Sequence, residues 1–545
     1  MIDVFEKASR VDPDGLFFSY TDKDGARLSY SYYESRLVAA AFAIRLKDMG
    51  LQRGDAVLVD VPNCPELVFT VLACAYGGFV MVIVDHGLSD GEKLSRRLEV
   101  ERSGLYVRTT LDYRAVRQLL YGVRWLSEDP TEIAMSILGR QRTGRAIMGK
   151  GQDLYDETVH FAERSAHLFD QASLAAIVFS EDFGGSGVPD RRAQVRAIPL
   201  SWDMISGSAY AFAAYFDRKV SSPRQERLPF NSFSNPSAEG TMSNRPASYW
   251  QFAGPLTHTS GIQVLYSTVV MRQPLMVYTG LEPEQMLRDA ERGLGTYMIA
   301  DDRTLQDLMS IEEWRAEVLF NATSRLSLYK AVLLLWQDDL SHTSKRAFDL
   351  GMNLLIGYGM SEMSGCMAIA SATGDAHIGL GLLDGYGSQV IDPDEDGRGS
   401  LAVAGPGMFD GYLNANTPFT VDRYFITKDL ALMEDGSVFI ENRSRDQFLS
   451  AGQTIFPLEV ADVLRHVPGV SAVHVFGVPD SRCGMLPVAV IERSDERLTS
   501  HDVADRTRFR FKDYSVPISI FIFDDLPRNE RGKLDRPAIE SFFAA

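Results

Sequence analysis

The chain has 545 residues, an apolar share of 45%, a charged share of 23% and a formal net charge of −18. Its length suits several domain-sized units, and its composition is that of a globular protein able to bury large cores. The acidic balance argues against nucleic acid or an anionic membrane surface as the main partner, while leaving room for small anions held by local positive potential.

The opening MIDVFEKASRVDPDG is acidic and lacks an apolar core, so it does not read as a signal peptide. Residues 28–50 pass from a short strand into a helix whose leucines and alanines recur every three to four positions, with Gly50 suited to its C-cap. RGDAVLVDV gives a turn and a strand, and Asn63 with Pro65 opens the next helix. The uncharged run LVFTVLACAYGGFVMVIV, Leu67 to Val84, meets the length criterion for a membrane span. Gly77-Gly78 divides it instead into a buried helix and a β-branched strand. Strand–helix–strand alternation of this kind predicts an α/β sheet.

Residues 85–165 read as helices and connecting loops without a motif. SLAAIVF then predicts a buried strand leading into FSEDFGGSGVPD, Phe179 to Asp190. Its glycines suit a loop that cradles phosphate through backbone N–H groups, but Glu181, Asp182 and Asp190 are negative and no lysine comes after the proline. Val220 to Ser248, rich in Ser, Pro and Asn, reads as a surface insertion. MNLLIGY predicts a strand, and the IGYGMSEMSG turn after it exposes Tyr358, with Gly359 permitting close backbone approach. An exposed tyrosine suits stacking on a base, the Ser361 hydroxyl suits a phosphate oxygen, and the Glu362 carboxylate suits Mg²⁺, which prefers oxygen ligands.

LMEDGSVFIENRSRDQFLSAG predicts a hairpin turning at Asp435-Gly436 and running into a charged connector. FPLEVADVLRHVPGV is a helix, and VHVFGVPD, LPVAVIER and ISIFIF are strands, together about the size of a small separate domain. Cys64, Cys74, Cys366 and Cys483 have no CxxC spacing, which predicts neither a zinc site nor a disulfide framework and points to a reduced, cytoplasmic protein. The nine histidines show no metal-ligand spacing.

Taken together, YGMSE, PLTHTSG, GSLAVAGPGMFDGYLNANTPFT, ITKDLALMEDGSVFIENRSRDQFLSAG and LPRNERGKLDR resemble the motifs of the adenylate-forming superfamily of acyl-CoA synthetases, adenylation domains and luciferases. The resemblance runs over most of the chain and implies an α/β fold. A large N-terminal adenylate-forming domain, residues 1–445, would hold two α/β sheets and a β-rich part. A small mobile C-terminal α+β domain, residues 446–545, would swing about a hinge at Asp446. It also implies site roles. Tyr358 would stack on adenine, Ser361 would touch the α-phosphate, Glu362 would hold Mg²⁺, and Asp429 with Arg443 would bind the ribose. Gly184, Gly185, Ser186 and Gly187 would form the phosphate loop, in which the family's terminal lysine has become Asp190. Lys533 would hold the carboxylate and α-phosphate during adenylation, the placement of a cation where negative charge develops. His258 would gate the acid's pocket, lined by Gln263, Tyr266, Met363, Ser364 and Gly365, and Ala451-Gly452 would line the thiol tunnel.

The implied reaction uses ATP, Mg²⁺ and CoA: a carboxylic acid becomes an acyl-adenylate with release of pyrophosphate, and a thiol then displaces AMP. Three alternatives stand beside CoA ligation. One is transfer to the pantetheine of a separate carrier protein, since the stretch beyond Lys533 is too short for a carrier domain. Another is an amine acceptor or an unconventional acid. The last is a catalytically silent binding homologue, which the altered loop favours and the retained Glu362, Asp429 and Lys533 oppose.

Overall fold

The computed structural model describes residues 2–543 except 23–24, 87, 122–157, 166–169, 171, 183–193, 220–247, 279–282, 301, 319–322, 336–340, 373–377, 395–396, 415–416, 444–447, 451–452, 456, 481–483, 508–517 and 529–533. The insertion expected at Val220 to Ser248 therefore lies almost wholly outside the described residues.

The uncharged run resolves as its glycines demand. Helix Pro65–Gly77 buries every residue except Glu66, Gly78 ends it in the left-handed region at φ 70°, and strand Val80–Ile83 is wholly buried. A helix apolar on all sides fits between layers of a large core, and among the described residues no helix is long and apolar enough to cross a membrane. Helix Tyr32–Asp48 starts with a capping box in which Ser31 and Glu34 satisfy each other's backbone N–H groups. Asn63 does not cap the next helix. Its side-chain amide donates to Gly254 O at 2.7 Å and accepts from Leu256 N at 2.8 Å, pinning the PLTH loop.

Strand Val80–Ile83 belongs to a five-stranded sheet ordered Val107–Asp112, Ala56–Asp60, Val80–Ile83, Leu174–Asp182, Gln194–Ser201. Its first four strands are parallel and the last folds back antiparallel. Val107–Asp112 corrects the reading of residues 85–165 as helices and loops. It is an edge strand with only Val107 and Leu111 buried, so its apolar signal is weak. Glu181 and Asp182 pair with Val195 and Gln194, so they are ladder residues of this hairpin rather than loop residues.

A nine-stranded sheet is ordered Gly381–Leu382, Gly365–Ser371, Leu354–Met360, Ala331–Leu335, Tyr297–Ala300, Trp250–Phe252, Leu275–Tyr278, Leu16–Thr21, Arg27–Ser31. It is parallel from Leu354–Met360 to Leu16–Thr21, with antiparallel strands at both ends. One continuous core joins the two sheets through Phe18, Phe69, Phe79, Trp202, Trp250 and Tyr266. A four-stranded antiparallel sheet comes next: Gly387–Ile391, Gly399–Ala404, Phe425–Glu434, Ser437–Arg443. Its last hairpin turns at Asp435-Gly436, both at positive φ (48° and 77°), as a two-residue turn matched to strand twist requires.

The C-terminal strands form their own sheet, ordered Gln453–Ile455, Phe448–Ser450, Gly484–Arg493, Val470–Asp480, with Ser519–Phe523 parallel to Gly484–Arg493. Two small cores flank it, one around Val460, Leu464 and Val503, the other around Phe476, Val490 and Ile539. Among the described residues, no strand of this sheet pairs with one before residue 444.

Arg325 ties three elements of the larger part together. It donates to Glu312 from its backbone N (2.6 Å) and Nε (2.7 Å), and to Glu284 from Nη1 (2.7 Å) and Nη2 (3.1 Å). The Glu312 side chain is fully buried, and Arg325→Ala leaves it only the backbone N of residue 325 and the longer 3.4 Å pair with Arg315, so the variant is expected to lower stability by roughly 2 kcal/mol at neutral pH, measured by urea denaturation. Hydrogen bonding to Arg325 holds the Glu284 carboxyl below its usual range. That contribution is complete at neutral pH and fades as pH falls below about 4.3, so acidification should narrow the gap between wild type and variant. A constant gap would contradict this.

Candidate active site

Strand Leu354–Met360 enters the core at Leu354, Leu355 and Ile356 and ends at a tight reversal built on a 3₁₀ turn, Ser361–Met363. A Cβ on Gly359 would lie 2.1 Å from Gly365 O, so the close approach read from the sequence is enforced by sterics. Ser364 adopts the left-handed region (φ 56°) and its hydroxyl donates to Gly407 O at 2.8 Å, while Ser208 Oγ donates to Ser364 O at 3.2 Å. Gly365 comes next at φ 125° with its missing Cβ facing the Gln263 amide. The reversal stands at the carboxyl end of a parallel strand, where open α/β sheets bind ligands.

Tyr358 corrects one expectation. The strand continues through it, and the ring is buried rather than exposed. Its hydroxyl donates to Asp429 Oδ2 at 2.5 Å across 71 residues of sequence. Asp429 sits on strand Phe425–Glu434, its backbone N donating to Thr427 Oγ1 (3.1 Å), which in turn donates to Leu401 O (2.8 Å). On the neighbouring strand Arg443 is the residue directly opposite Asp429. YGMSE and TKD, distant in sequence, thus form one locus.

Glu362 is buried, and its Oε1 accepts a hydrogen bond from Tyr412 at 2.7 Å. Burial first, then the Glu362 charge, pushes the Tyr412 hydroxyl well up, so it stays a donor at neutral pH. The Arg196 guanidinium carbon lies 4.8 Å above the Tyr412 ring. Ser361 Oγ is 3.4 Å from Thr259 Oγ1, at the start of helix Thr259–Met271. His258 is that helix's N-cap residue, half-buried, with Nδ1 2.9 Å from Ser260 Oγ. PLTHTSG is therefore brought against YGMSE.

Gln263 and Tyr266, expected at the acid's pocket, are core residues. The Gln263 amide nitrogen donates to Ser208 Oγ (2.7 Å) and Cys366 O (2.8 Å), and its oxygen accepts from Cys366 N (2.9 Å). Both N–H donors are thereby committed inside the protein. Ser206 Oγ donates to the Tyr266 hydroxyl at 3.1 Å. Met363 is buried with its carbonyl accepting from Tyr386. Beside them, burial pushes the Cys366 thiol up to about 12, which makes it inert. Gly184, Gly185, Ser186, Gly187, Asp190, Asp446, Ala451, Gly452 and Lys533 lie outside the described residues.

Tyr412, Arg196 and Thr427 had no role assigned from sequence. Tyr412 closes the GPGMFDGY motif, the one signal that marked it; Arg196 sits in an ordinary strand and carried none.

The AMP-binding enzyme family matches residues 5–147, and the AMP-binding enzyme C-terminal domain matches residues 459–533. A 2-succinylbenzoate-CoA ligase of Enterococcus faecalis is 28% identical over 320 residues, 55% of this chain and 62% of that one. A feruloyl-CoA synthase of an Amycolatopsis species is 27% identical over 298 residues, 52% of this chain and 59% of that one. The chain spans about three-fifths of the length of these curated relatives. The crystal structure of ATP-bound MatB from Rhodopseudomonas palustris superposes with a TM-score of 0.71 at 19% identity, covering 99% of both chains.

A core role for Gln263 is tested by Gln263→Ala. Stranding the Cys366 backbone groups should cost about 2 kcal/mol of stability, seen as a lowered urea midpoint. A variant with unchanged stability would return Gln263 to the pocket.

Proposed function

We propose, from the match of residues 5–147 to the AMP-binding enzyme family and of residues 459–533 to its C-terminal domain, that the chain is an adenylate-forming, AMP-forming acid–thiol ligase acting on a carboxylic acid, ATP and CoA. The observation that carries this reading is the convergence of Tyr358, Asp429, Ser361 and Glu362 at one strand end. The relatives' names, both acid–CoA ligases, support the same chemistry and favour CoA as the acceptor. Both name an aromatic acid, which supports an aryl substrate.

The donor set fits magnesium-bound nucleotide: a buried carboxylate at Glu362 and the hydroxyls of Ser361 and Thr259 are hard oxygen ligands or phosphate donors. Bound there, the ion would neutralise charge on the phosphates. Asp429, with Arg443 opposite, would accept from the ribose hydroxyls, and Tyr358 would flank the adenosine while orienting Asp429. The Gly184 to Gly187 loop would wrap the distal phosphates through backbone N–H groups. Lys533 would bridge the acid's carboxylate and the α-phosphate as the acid oxygen attacks phosphorus and pyrophosphate departs. Rotation of residues 446–545 about Asp446 would then admit a thiol along Ala451-Gly452, and its sulfur would displace AMP from the acyl carbon. His258, beside Ser361's partner Thr259, would gate the acid's entry.

A second reading rests on Asp190. A negative charge in place of a loop cation opposes phosphate, as a silent binding homologue would tolerate.

The test is mass-spectrometric detection of acyl-adenylate and acyl-CoA after incubation with MgATP, CoA and a pooled library of aryl and aliphatic acids, with Lys533→Ala alongside. Both products should form, and the variant should lose adenylate formation by 100-fold or more, in the range of about 10² to 10³ for one electrostatic group. Adenylate without thioester would move the acceptor to a carrier protein or an amine. ATP binding without adenylate from any acid would overturn the ligase reading in favour of the silent one.

A further inference from the structure

Glu362 is gripped twice by one segment, the GPGMFDGY stretch. Phe409 N donates to Glu362 O at 2.8 Å, and the Tyr412 hydroxyl donates to its side chain at 2.7 Å. Tyr412 is itself held: its backbone N donates to Thr417 Oγ1 at 2.8 Å, and its ring meets Phe409 and Phe425 edge-on at 4.9 and 6.2 Å. Against the same ring lies the Arg196 guanidinium. Arg196 stands on strand Gln194–Ser201, opposite Ser180. Two further bonds stitch that strand to the same segment: Leu413 N to Ala197 O at 3.0 Å, and Ala197 N to Asn414 Oδ1 at 2.9 Å.

We infer that Tyr412 and Arg196 are positioning residues which hold the Glu362 carboxylate in the orientation that meets the nucleotide's magnesium ion. The inference rests on the ligase reading above. A carboxylate that ligates a metal needs its other contacts fixed by hydrogen bonds, and such outer partners tune metal affinity. Tyr412 supplies that bond to a single named oxygen, Oε1. Arg196 clamps the tyrosine ring by cation–π attraction and so fixes where its hydroxyl oxygen stands beside Glu362. The hairpin Leu174–Asp182/Gln194–Ser201 and the metal-facing carboxylate are thereby one mechanical unit. A purely structural Tyr412 would support the fold and the nucleotide pocket alike, with no preference for the metal.

The experiment compares wild type, Tyr412→Phe, Arg196→Lys and Arg196→Gln by isothermal titration with ATP in excess Mg²⁺ and with ATP in EDTA, recording thermal melts on the same samples. Tyr412→Phe should weaken MgATP binding about tenfold, keep its affinity for metal-free ATP, and melt within about 4 °C of wild type. Arg196→Gln should share the loss and Arg196→Lys should keep most of the affinity. Equal loss of both affinities in Tyr412→Phe, or no loss in either, overturns the inference. A wild type that forms adenylate while Tyr412→Phe retains full magnesium dependence overturns the positioning role alone. A wild type that binds neither form of ATP overturns the ligase reading, and this inference with it.

Discussion

The hydrogen bond from Tyr358 to Asp429 is the constraint on which the site depends. It joins the nine-stranded sheet to the four-stranded one at the point where the parallel strand Leu354–Met360 runs out. A bond to a buried carboxylate contributes roughly 1.5–3 kcal/mol, and leaving either partner unmet is dearer still. The strand runs two residues past Tyr358 before the chain reverses, and glycine at 359 tolerates the approach of Gly365 O there. Ser361 and Glu362 are then presented on the 3₁₀ turn of that reversal.

Neighbouring elements serve this turn. Gln263 locks helix Thr259–Met271 to strand Gly365–Ser371 from beneath, which brings Thr259 to Ser361 and His258 to the helix's first turn. Asn63 braces the approach to that helix by holding both Gly254 and Leu256. From above, Phe409 N, Gly407 O and the Tyr386 hydroxyl take up backbone or side-chain groups of Glu362, Ser364 and Met363. A site so encased is preorganised: its oxygen ligands need little rearrangement when a charged ligand arrives.

Local chemistry was the legible part of this protein. Two positive-φ residues are demanded by a two-residue hairpin, so Asp435-Gly436 could be read directly, and the Gly77-Gly78 pair divided an apolar run as the structure divides it. Non-local pairing was not legible. Nothing near Tyr358 in sequence announces a carboxylate 71 residues on, so its ring read as exposed when it is buried. The resemblance placed Gln263 at the acid's pocket, and sequence alone could not show its hydrogen bonds to Ser208 and Cys366, 55 and 103 residues away. The edge strand Val107–Asp112 was missed because four of its six residues are not buried. The set of motifs carried the family, while the roles of Tyr412 and Arg196 emerged only once strands were paired.

The most direct measurement is hydrogen–deuterium exchange of the wild-type protein with and without MgATP, resolved to peptides. Nucleotide binding where the two motifs converge predicts slowed exchange in residues 356–365 and 425–431, with little change in the distant strand Leu16–Thr21. Unchanged exchange in both of those peptides, with protection elsewhere, would contradict the assignment of the Tyr358–Asp429 locus as the nucleotide site.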